Sequence, residues 1–124
     1  MAPNGPTFVV TALAWWLMAI LEATVDELEA ALQTGARLVD VREPHEYESG
    51  HVPGAVLVPL STVPTSLDQF AAEGPTYVIC RSGARSYRAC EYLADHGLEG
   101  INIEGGTLAW VNSGRETVAG DQPA

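Results

Sequence analysis

The chain is expected to be an α/β protein: an open parallel β-sheet with helices on both faces. Three observations carry this. Short β-branched runs such as Thr76-Tyr77-Val78-Ile79 alternate with segments of helical period such as Ser86 to Leu98, where Ala89, Cys90, Leu93 and Ala94 share one face. Glycine and proline pairs separate the elements. Strands and helices alternate along the chain, which predicts a parallel sheet covered by helices on both faces.

In chain order, Thr24-Val25-Asp26-Glu27 reads as a capping box opening a helix to about Gln33, closed at Thr34-Gly35. Arg37 to Val41 follows as a buried strand, and Pro44 to Glu48 as a helical turn ending at Gly50. Pro53-Gly54 is a turn, Ala55 to Pro59 a second strand, and Ser66 to Ala72 a short helix. Gly74-Pro75 breaks the chain before the strand that ends at Cys80. A helix from Ser86 stops at Gly97, Ile101 to Ile103 forms a last strand, and Gly105-Gly106 opens a helix carrying Leu108 and Trp110. The tail after Gly114 is expected to fray.

Of 124 residues, 47% are hydrophobic and 18% charged, which suits one globular domain with a modest core. Phe8 to Leu21 is apolar except for Thr11, too short to span a bilayer comfortably and without a basic region before it. Residues 1–22 are therefore set apart, with a domain at 23–113 and a tail at 114–124. A helix packed on the domain or a partner, or translation starting at Met18, fits residues 1–22 better than membrane contact through Trp15 and Trp16.

Sixteen acidic against six basic residues, all arginine, give a net charge of -10, which argues against nucleic-acid binding or bulk attraction to anionic membranes. Arg81, Arg85 and Arg88 nevertheless cluster after Cys80. The stretch Cys80-Arg81-Ser82-Gly83-Ala84-Arg85-Ser86 lies between a strand and a helix N-terminus, where converging N–H groups and the helix dipole stabilise an anion or a thiolate. A lowered Cys80 thiol pKa and a small anionic partner follow. Two cysteines ten residues apart and three scattered histidines make neither a disulfide framework nor a metal site, and a reducing, cytoplasmic setting is the simpler expectation. Cys90 falls on the apolar helix face and reads as core. His51 reads as a backbone hydrogen-bonding partner and Trp110 as a packing residue.

Leu38-Val39-Asp40-Val41-Arg42-Glu43, Glu46-Tyr47, Gly50-His51-Val52-Pro53-Gly54-Ala55, the Cys80 to Ser86 loop, and Gly105-Gly106 with Trp110 together resemble the rhodanese family, in its order, over roughly residues 23–113. The resemblance implies a rhodanese-like open parallel sheet and a single-domain sulfurtransferase. Cys80 would carry a sulfane sulfur as a persulfide, taken from thiosulfate or a persulfide donor and passed to a thiol or cyanide. The backbone from Arg81 through Ser82, Gly83 and Ala84 to Arg85 would cradle it, with the Arg81 and Arg85 side chains on the donor's negative group. Asp40 and Arg42 are supporting residues, either a structural ion pair or a substrate contact. No metal or organic cofactor is required, and a protein could serve as persulfide donor or acceptor. Two other readings stand beside this one. One is a non-catalytic binding or regulatory module of the same family, which would commonly lack the cysteine. The other is a cysteine phosphatase or arsenate reductase, whose loop encloses one residue more than the four between Cys80 and Arg85.

Overall fold

The computed structural model describes residues 19–70 and 73–124. Five parallel strands form one sheet in the order β1-β5-β4-β2-β3: β1 (Leu21–Ala23), β2 (Arg37–Asp40), β3 (Val56–Leu57), β4 (Thr76–Ile79) and β5 (Gly100–Ile103). Helices α1 (Val25–Gln33), α2 (Pro44–Ser49), α3 (Ala84–Asp95) and α4 (Gly106–Asn112) connect and flank them.

Side chains alternate across the sheet with the strand period of two. Val39, Val78 and Cys80 pack with Ala89, Cys90 and Leu93 of α3 on one face. On the other, Leu38, Ile79 and Ile103 pack with Leu28 of α1, Tyr47 of α2 and Trp110 of α4. Helices thus cover both faces, as expected. The parallel strands also bring the ends of β2, β4 and β5 to one edge, where an open α/β sheet places its binding crevice.

Local chemistry accounts for most boundaries. Glu27 donates its N–H to Thr24 Oγ1 (3.1 Å) and returns a carboxylate to the Thr24 N–H (2.8 Å), completing the capping box. Pro44 opens α2, where its missing N–H costs nothing.

Several expectations need correction. In place of the helix from Ser66 to Ala72 there are two 3-10 turns, Leu60–Thr65 and Leu67–Gln69, with residues 71–72 outside the described residues. Pro64 within the first turn has no N–H to donate to a longer α-helical ladder. The second strand shrinks to Val56–Leu57, and α3 begins at Ala84 rather than Ser86. The sheet begins at Leu21, ahead of the boundary expected at Ala23, because Leu21, Glu22 and Ala23 pair with Ile101, Asn102 and Ile103. Readings of the apolar segment upstream of Ala19 lie outside the described residues.

The tail does not fray. His51 and Val118 exchange backbone hydrogen bonds of 2.9 Å, Gly120 donates to the Glu48 carbonyl, and the Pro123 carbonyl accepts from Gly54. The fully buried His51 ring stacks on Tyr47 and lies between the carbonyls of Tyr47 and Gln122, each at 2.8 Å. Trp110 donates Nε1–H to the Glu116 carbonyl (2.8 Å) while its ring is buried. His51 thus hydrogen-bonds backbone and Trp110 packs, as their sequence positions suggest.

Candidate active site

Cys80 follows the last residue of β4 and is 1% exposed. The start of its loop is fixed by α4. The Cys80 carbonyl accepts hydrogen bonds from the Thr107 N–H (2.9 Å) and hydroxyl (3.0 Å), and the Arg81 carbonyl accepts from the Leu108 N–H (3.0 Å). This contact requires glycine beneath the loop, since a Cβ on Gly106 would lie 2.5 Å from the Cys80 carbonyl oxygen and 2.6 Å from that of Arg81. With those carbonyls engaged by α4, the chain turns back at Gly83 (φ 112°), a left-handed conformation that glycine adopts without strain.

The turn brings the Gly83 N–H to 3.1 Å from the Cys80 sulfur and the Ser86 hydroxyl to 3.3 Å. Burial alone pushes the thiol pKa up. Hydrogen bonds from the Ser86 hydroxyl and from the backbone of Ser86, Gly83 and Ser82 outweigh it, and the net displacement is downward. Cys90 shows the contrast: on the apolar face of α3, without such donors, burial pushes it up to about 12. Both cysteines are free. Cys80 is therefore the activated thiol and Cys90 an inert core residue.

The arginines divide by role. Arg85 makes two hydrogen bonds to Glu46 of α2, at 2.7 and 2.9 Å, and this partner holds the Glu46 carboxyl down at about 2. Its charge is thus already paired, and its evident work is to tie α2 to the loop. Arg81 is exposed and has no ion-pair partner among the described residues, so its cation is available beside the sulfur's loop. Ser82, Gly83 and Ala84 complete the turn, with Ser82 and Gly83 contributing backbone N–H groups to Cys80.

Asp40 and Arg42 form a buried pair. Arg42 binds Asp40 through Nε and Nη2 (2.9–3.1 Å), its own N–H donates to Asp40 Oδ1, and Nη2 reaches the Gly50 carbonyl at 2.9 Å. Both Asp40 oxygens accept from Arg42, and none of the Asp40 hydrogen bonds comes from the cysteine loop. Of the two readings offered for this pair, its geometry is that of a structural tie between the end of β2 and the end of α2.

Three participants escape sequence reasoning. Glu46 lies within the Glu46-Tyr47 motif, but a partner 39 residues away leaves no local trace. Asn102 and Glu22 extend the polar line behind Cys80: the Ser86 hydroxyl lies 2.5 Å from Asn102 Oδ1, and Asn102 Nδ2 donates to Glu22 Oε2 at 2.8 Å and to the Gly83 carbonyl at 3.2 Å. Strand register joins them, since Glu22 pairs with Asn102 across β1 and β5.

A parallel sheet presenting a buried cysteine on the loop after its central strand, with N–H groups turned onto the sulfur, defines a class of α/β proteins with a cysteine-bearing loop. Within that class, residues 24–113 match the rhodanese-like domain family, and the chain belongs to it. A sulfurtransferase of Allochromatium vinosum is 39% identical over 83 residues, covering 66% of this chain and 78% of that protein. The crystal structure of a rhodanese-like domain protein from Staphylococcus aureus superposes with a TM-score of 0.69 at 36% identity, covering 73% of this chain and 91% of that one. A thiosulfate sulfurtransferase from Pseudomonas aeruginosa gives a TM-score of 0.73 at 26% identity over 84% of this chain, which spans only 20% of that larger protein. Among the described residues, no helix is long and apolar enough to cross a membrane.

Proposed function

We propose that the protein is a sulfurtransferase that carries a sulfane sulfur on Cys80. The observation that carries this reading is the Cys80 sulfur itself: buried, held by the Gly83 N–H and the Ser86 hydroxyl, and with its pKa displaced downward despite burial.

In the first half-reaction the Cys80 thiolate attacks the outer sulfur of thiosulfate or of a persulfide. A new S–S bond forms, the donor's S–S bond breaks, and its electron pair leaves with sulfite or a thiolate. In the second, a thiol or cyanide attacks the outer sulfur of the Cys80 persulfide and returns the electron pair to Cys80, in a ping-pong scheme. Loop N–H groups stabilise the sulfur anion in both steps. Arg81 attracts the donor's negative group, and Arg85, neutralised by Glu46, holds the loop's shape. The turn between Cys80 and Arg85 suits one transferred sulfur better than a tetrahedral oxyanion, which places phosphatase or arsenate reductase chemistry second to sulfur transfer. A cytoplasmic setting and a small anionic donor, or a protein persulfide donor or acceptor, belong to the same proposal.

Intact-protein mass spectrometry before and after incubation with thiosulfate tests it. A gain of one sulfur mass that disappears on adding cyanide or a thiol, and is absent from Cys80→Ser, is the expected result. No adduct from thiosulfate, polysulfide or a small persulfide would favour a binding module or a carrier loaded only by a protein partner.

A further inference from the structure

Behind the Cys80 sulfur runs one hydrogen-bonded line: Ser86 hydroxyl, Asn102 amide, Glu22 carboxylate. Ser86 and Asn102 are 0% and 1% exposed, so water does not substitute for their partners. The amide's orientation is determined by what surrounds it. Nδ2 faces two acceptors, Glu22 Oε2 (2.8 Å) and the Gly83 carbonyl (3.2 Å), and both amide hydrogens are spent there. Oδ1 is therefore the atom turned to Ser86, and it can only accept.

A serine hydroxyl has one proton, and three acceptors surround this one. Asn102 Oδ1 lies at 2.5 Å, the Cys80 sulfur at 3.3 Å and the Gly83 carbonyl at 3.3 Å. While Cys80 is a thiol, its S–H can donate to the Ser86 oxygen as Ser86 donates to Asn102. Once Cys80 is a thiolate, it gains the Ser86 proton only by drawing it from Asn102.

We infer that Asn102, locked in orientation by Glu22 and the Gly83 carbonyl, is a positioning residue that sets how readily Cys80 ionises by competing with the sulfur for the single Ser86 proton. The inference takes Cys80 as the reacting group of the proposed sulfur transfer, but concerns only its ionisation. Other charged groups border the line. Arg85 and Cys90, both on α3, feel the Cys80 charge, Glu22 of β1 is felt by Cys90, and Asp40 of β2 is felt by Arg85. Arg81 lies beside Cys80 in the loop, and α4 contributes no titratable side chain. Because a plain Coulomb effect from any of these does not pass through the Ser86 hydroxyl, Ser86 is the control.

The test is the pH dependence of iodoacetamide alkylation at Cys80, read by peptide mass in wild type, Ser86→Ala, Asn102→Ala, Glu22→Ala and the two double variants with Ser86→Ala. Loss of the hydroxyl donor should move the midpoint up, slowing alkylation about tenfold at a pH below it. Loss of Asn102 should move it down and speed alkylation severalfold, with a smaller shift in the same direction for Glu22→Ala. Both accelerations should vanish once Ser86 is alanine. An upward shift in Asn102→Ala, as loosening alone would give, overturns the inference, as does an acceleration that survives in the Ser86→Ala background. If circular dichroism shows that Asn102→Ala does not fold, the exposed Glu22 decides, and a midpoint unchanged in Glu22→Ala overturns the inference. Alkylation needs no sulfur donor, so failure here is distinct from failure of thiosulfate to load Cys80.

Discussion

At the scale of single residues, the site separates groups that touch the sulfur from groups that shape its surroundings. Cys80 should alkylate with a midpoint below the ordinary thiol value of 9.0, because its loop donors stabilise the thiolate more than burial disfavours it. A stopped-flow pH profile checks this, with Cys80→Ser as the blank. Arg81→Ala should raise KM for thiosulfate roughly tenfold, the worth of one charge-assisted hydrogen bond, with a smaller effect on kcat. Glu46 makes a different prediction. Its folded-state pKa of about 2 lies below the ordinary 4.5, so its ion pair with Arg85 stabilises the fold above pH 4.5 and is lost as pH falls through 2. Glu46→Gln should lack that component. The half-exposed pair limits the difference to about 1 kcal/mol in urea titrations across the window.

Among the elements, the contact between α4 and the cysteine loop matters most. The loop was legible as a loop because Cys80 to Ser86 lies between a β-branched run and a helical period. That its first two carbonyls dock on the start of α4 was not legible, since Gly105-Gly106 signals only a turn until its neighbour in space is known. Gly106 adopts φ 59°, and any side chain there meets the Cys80 and Arg81 carbonyl oxygens. Gly106→Ala should therefore destabilise the protein by on the order of 2 kcal/mol or more, with a matching fall in Tm, and displace the loop. Sulfur loading should fall even in the fraction that remains folded. The 3-10 turns illustrate the opposite limit, where the segment from Ser66 to Ala72 suggested a helix and the structure has 3-10 turns at Leu60–Thr65 and Leu67–Gln69 instead.

On the scale of the whole molecule, the tail closes the structure at the end of α2. Val118, Gly120, Gln122 and Pro123 supply backbone partners to His51, Glu48 and Gly54. A chain ending at Glu116 should lose about 1–3 kcal/mol in chemical denaturation, because it exposes His51 and leaves one ring nitrogen and several backbone groups without their partners. Unchanged stability would mean the tail is dispensable. Tail composition, rich in glycine and polar residues, gave no hint of this attachment, since what holds it is backbone pairing over long sequence separation.

The alternation of strands and helices from Thr24 onward, the parallel sheet covered on both faces, the cysteine-bearing loop and the family were legible in the sequence, because period, capping residues and turn chemistry are local properties and the motifs are contiguous. Pairing across space was not. Tertiary structure alone joined Arg85 to Glu46, placed Leu21–Ala23 beside β5 and set Glu22 and Asn102 behind Ser86. These are contacts between residues far apart in the chain, where neither partner's local sequence constrains the other and only the closing of the sheet brings them within hydrogen-bonding distance.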